Sequence, residues 1–75
     1  MAFTGFRFDH DQAAKGDIVH CFRTLEGLKS FVAMMKGQDP EFGRMRYWKV
    51  EGRFAGHDEG DVRIFVESAV EIRNI

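Results

Sequence analysis

The stretch Met45-Arg46-Tyr47-Trp48-Lys49-Val50-Glu51-Gly52-Arg53-Phe54 decides how this chain is read. Side chains along a strand alternate sides, so Trp48, Val50 and Phe54 share one face, while Tyr47, Lys49, Glu51 and Arg53 share the other. The first set is expected in the core. The second joins an aromatic ring to cations and an anion, a mixture suited to meeting another molecule.

Working outward, two strands are expected before this stretch and one or two after it. Phe3 to Phe8 alternates Phe6 and Phe8 against Arg7, with Phe3 on the Arg7 side; Gly5 marks a bulge or a close backbone approach. Asp17 to Arg23 points Ile18, His20 and Phe22 one way and Val19, Cys21 and Arg23 the other. A third strand covers 44–55, and Gly56-His57-Asp58-Glu59-Gly60 reads as a hairpin loop. Beyond it, Val62, Ile64 and Val66 oppose Arg63, Phe65 and Glu67. Ser68-Ala69 breaks the alternation, which Val70 and Ile72 resume, either after a bulge or as a fifth short strand.

Between the second and third strands lies a helical signal. Leu25, Leu28, Phe31, Val32 and Met35 form one apolar stripe, which predicts a helix over 24–36. Thr24 stands at the N-cap, Glu26 and Lys36 suit the helix dipole, and Gly37 is expected at a left-handed C-terminal cap. Ala33, Met34 and Lys36 lie off the stripe, where an exposed Met34 would give an adaptable contact. Asp39-Pro40 signals one further short helical turn.

The expected architecture is α+β: residues 1–75 as a single small domain, one helix packed on one face of a four- to five-stranded, mostly antiparallel sheet, in the order β-β-α-β-β. One helix shelters one face. The other face is then expected to carry Val19, Cys21, Tyr47, Phe65 and Phe3 among Arg7, Arg23, Lys49, Arg53 and Arg63, more apolar than a solvated sheet face usually is.

Composition narrows the functional classes. A chain of 75 residues buries only about 60% of the surface it exposes when unfolded, and its eight Phe residues offset part of that handicap. A net charge of −1 provides no global attraction to nucleic acid or anionic membranes. The single cysteine, Cys21, excludes an internal disulfide and fits a reducing compartment. The N-terminal residues lack the basic and apolar regions of a signal peptide, and no apolar run is long enough to span a membrane, so a cytoplasmic protein with no membrane partner is expected.

Chemistry-bearing clusters are few. Asp9-His10-Asp11 and His57-Asp58-Glu59-Gly60-Asp61 contain metal-ligand types, but the spacing fits no zinc or calcium template, and turn chemistry accounts for both. His20 and Cys21 are adjacent on a strand and therefore point to opposite faces, which separates a would-be base from its nucleophile. No phosphate-binding glycine loop, nucleophile elbow or cofactor motif is present. These absences predict a protein without catalytic activity, metal or cofactor.

The functional expectation is a small protein-binding module, such as an adaptor, an inhibitor or a mobile-element accessory, using the helix-free sheet face. Its partner is another protein or a second copy of the chain. Tyr47 and Phe65 are the expected anchors, with Arg23, Lys49, Arg53 and Arg63 orienting the partner. The alternative is a single-stranded nucleic-acid-binding protein using the same aromatic and basic face. Against it, alternation sets Arg46 opposite Tyr47, and Glu51 and Glu67 dilute the positive field.

Overall fold

Thr24 opens the helix as its sequence position dictates: its backbone is extended and its Oγ1 accepts the Gly27 N–H at 3.0 Å. The computed structural model describes residues 2–58 and 61–73. Its elements are β1 (Phe3–Asp9), β2 (Ile18–Phe22), α1 (Leu25–Lys36), a 3-10 turn (Pro40–Arg44), β3 (Arg46–Asp58) and β4 (Asp61–Ile72). Asp39 caps the 3-10 turn by accepting the Glu41 N–H at 3.0 Å. Gly37 is not left-handed. It keeps right-handed helical angles (φ −69°, ψ −21°), and the Gln38 and Asp39 amides both donate to the Met35 carbonyl, so the last turn is satisfied without a positive φ.

The fold is α+β, one helix with a four-stranded antiparallel sheet whose order is β1-β2-β4-β3. The sheet closes on itself. β1 pairs with β3 from Phe3↔Gly52 to Asp9↔Arg46 and meets β2 at Phe6↔Phe22. No separate fifth strand forms, because β4 runs unbroken to Ile72 and absorbs the disturbed alternation as a bulge. Gly52 pairs with Val66 and Glu51 with Ser68, so Glu67 is the extra residue. The hairpin is also tighter than expected, with β3 continuing to Asp58; Glu59 and Gly60, placed by the sequence in the loop, lie outside the described residues.

Closure creates two apolar layers where a flat sheet under one helix would have one. Cys21, Trp48, Val50, Val62, Ile64, Val66 and Ala69 fill the interior, with Ala13 and Val19 against them. Leu28 and Val32 are buried on the helix, and Phe31 bridges Phe8 (5.7 Å between centroids) and Phe22 (5.3 Å). Phe42 of the 3-10 turn packs on Phe8 at 5.4 Å. The helix therefore rides on the outer side of β1 and β2.

β2 sets Phe22 beneath the helix as expected, but the side expected to be helix-free is the one that closure encloses. Cys21 and Val19 face the interior with Trp48, while Ile18 is 54% exposed and Phe22 lies outside, beneath the helix. Phe54 departs from the expected core as well: β1 ends at Phe3, leaving it 49% exposed against the rings of Phe3 (5.2 Å) and His57 (6.0 Å).

The loop between β1 and β2 covers the edge of β4 past the end of β2. Gly16 N–H donates to the Val66 carbonyl and Val66 N–H to the Asp17 carbonyl, at 2.9 and 2.8 Å. Further along, the Gln12 amide donates to the Ala69 carbonyl at 2.6 Å. Backbone groups that an edge strand leaves open are satisfied here by loop atoms. Among the described residues, no helix is long and apolar enough to cross a membrane.

Candidate protein-binding surface

Antiparallel register aligns three outward side chains across three strands. Ile18 on β2 is opposite Phe65 on β4, and Phe65 is opposite Arg53 on β3. Phe65 is 37% exposed, and the Arg53 guanidinium lies over its ring, 5.6 Å from the centroid. The adjoining row holds His20 opposite Arg63, whose guanidinium reaches over Gly56. Gly56 has φ +129°, and a Cβ there would meet Arg63 Nη2 at 2.9 Å. An apolar strip bordered by arginines results.

The six residues expected to contact a partner fall into separate places. Arg53, Arg63 and Phe65 come together on the β3–β4 sector. Tyr47 does not join them: it pairs with Ile72, six positions before Arg53 along β3, and lies half-buried beside the helix. There it lines a groove of ≈ 180 Å³ with Lys29, Val32, Ala33 and Lys36. Lys49, next on the outer face, pairs with Glu51 at 3.5 Å. Arg23 is exposed between β2 and the cap of α1. Sequence reasoning missed Ile18, which it assigned to the core, and Lys29, whose helical spacing to Ala33 and Lys36 was the available signal.

Cys21 and His20 do face opposite ways, Cys21 buried and His20 exposed. Burial pushes the Cys21 thiol up to about 11; Asp61 adds to the rise and Arg7 opposes it. At neutral pH the thiol is protonated and shielded, the reverse of an activated nucleophile. Asp9 is engaged rather than open to a ligand: its carboxylate takes the Arg7 guanidinium at 2.5 Å and the Asp11 amide at 3.2 Å. Among the described residues, no three His, Cys, Asp or Glu side chains gather as a metal would require. Compared with protein-family models, curated proteins and solved structures, the chain matches none of them, and the surface itself carries the functional argument.

Proposed function

We propose that this protein is a binding module that recognises another protein, or a second copy of itself, through the Ile18–Phe65–Arg53 row. The observation that supports this reading is the exposed Phe65 ring held under a guanidinium and continued sideways by Ile18. Aromatic and arginine side chains are the types that anchor protein interfaces, the ring bringing large area with little conformational entropy to lose and the guanidinium bringing directional hydrogen bonds. Arg63 borders the row and orients the partner. A protein with one buried cysteine suits the reducing cytoplasm, and the chemistry of this surface asks for neither metal nor cofactor.

The test is sedimentation of the purified protein together with photo-crosslinking from position 18, beside Phe65 in the row, each repeated with Phe65→Glu. Concentration-dependent self-association, or a crosslink to one defined protein, is expected and should vanish in the variant. The reading fails if Phe65→Glu changes neither measurement. It fails also if single-stranded oligonucleotide is retained through Phe65 with an affinity that collapses as salt is raised, the signature of phosphate contacts.

A further inference from the structure

Lys29, Val32, Ala33 and Lys36 recur at the spacing that stacks side chains along one side of a helix, so α1 presents a second stripe beside the one that packs on Phe8 and Phe22. This stripe and Tyr47 of β3 enclose the groove. Its floor is apolar, from Val32, Ala33 and the Tyr47 ring, and its two ends are cationic. Lys29 and Lys36 are two helical turns apart, about 10.5 Å. Neither ammonium has a carboxylate partner among the described residues, although Glu26 stands one turn before Lys29. The stem of Lys36 lies along Gly43 of the 3-10 turn, where a Cβ would meet its Cε at 2.8 Å.

From this charge pattern we infer that the α1–β3 groove is a second binding site, one that takes an extended acidic segment of a partner protein. One apolar side chain enters over Val32, Ala33 and Tyr47, and a carboxylate on either side reaches Lys29 and Lys36. In an extended peptide, residues two apart share a face at about 3.3 Å per residue, so an acid–apolar–acid pattern at alternate positions spans the two lysines with the reach their side chains allow. A nucleic-acid backbone fits less well. It needs a continuing track of cations, and the next one along β3, Lys49, is held by Glu51. The site lies apart from the Phe65 row, and its test leaves that reading untouched.

The probe is a capped peptide containing Glu-Ser-Leu-Ser-Glu, titrated into the full chain and followed by amide chemical shifts. Saturating shifts at Lys29, Val32, Ala33, Lys36 and Tyr47 are expected, with a Kd raised tenfold or more by Lys29→Gln/Lys36→Gln. Replacing both Glu by Gln, or Leu by Ser, in the peptide should have a similar effect. The double variant changes exposed side chains, and its undisturbed spectrum will report that it is folded. The proposal is overturned if no saturable shifts occur at millimolar peptide, or if they map to Phe65 and Arg53. It is overturned equally if the lysine variant binds as well, or if an oligothymidylate gives the same shifts at lower concentration.

Discussion

A Cβ placed on Gly5 would lie 2.5 Å from the Cβ of Cys21 and 2.7 Å from Cδ1 of Ile64. β1 closes the sheet by bringing bare backbone against the interior, and no other residue leaves that space. Gly5→Ala should therefore destabilise the fold by about 1–3 kcal/mol, the usual cost of overpacking a filled interior. Urea denaturation will measure it. Ile64→Val, which removes one of the two clashing carbons, should make the combined variant less unstable than the sum of the two single losses.

Trp48 ties β3 to the end of β1: it is 4% exposed, and its indole N–H donates to the Asp9 carbonyl at 3.2 Å. Trp48→Ala should cost about 3–5 kcal/mol, enough in a domain this small to leave much of it unfolded at room temperature. Loss of amide dispersion or of the cooperative thermal transition will show it.

The thiol of Cys21 predicts an alkaline limit. Its value in the fold, about 11, exceeds the ordinary 9.0, so the folded state favours the protonated form. The stabilisation is fully present below pH 9 and is lost as pH rises through 11. Stability measured from pH 8 upward should fall less steeply in Cys21→Ala. In the native protein, a thiol reagent near pH 8 should react no faster than the protein opens.

Asp9 predicts an acid limit of opposite sign. Burial works to raise its carboxyl, yet the Asp11 amide, the Arg7 guanidinium and the His10 amide together hold it below the usual value of 3.8. Its contribution is present above pH 3.8 and is lost as pH falls through the lowered value. Because the side chain is 41% exposed, the effect is modest. Asp9→Asn should be less stable at neutrality and flatter in its acid denaturation.

Phe65→Ala should cost about 1–2 kcal/mol, the worth of its contacts with Ile18 and Arg53, and leave the protein folded, since the ring lies on the outer face and completes no buried cluster. Any loss of association in that variant is then a loss of contact. Thermal denaturation beside sedimentation separates the two.

Local chemistry was legible in the sequence. The helix, its Thr24 cap, the Asp39-Pro40 turn and the alternation of Val62, Ile64 and Val66 all stand where periodicity put them. What alternation does not carry is which of two apolar faces is enclosed. Ile18, His20 and Phe22 had the stronger apolar look, but inclusion was decided by Gly5 approaching Cys21 from another strand. Bulges hid the rest: Glu67 and Ala55 each shift the parity of the residues beyond them. For the candidate surface, Arg53, Arg63 and Phe65 shared a side as period two predicted. Tyr47 keeps the same outer side but stands six residues, about 20 Å, from Arg53 along β3, a separation that alternation alone does not weigh.

Phe3 and Gly52, opposite one another in the sheet, are 49 positions apart in the chain. As the protein is synthesised, β1 has only β2 to meet, at Phe6↔Phe22, until its longer partner β3 is translated. The β3–β4 ribbon, joined locally, is the natural template onto which that earlier strand docks. Folding speed is thus governed by the diffusive search of a long loop, and the circle of strands is complete only once β3 has been made and has docked onto β1.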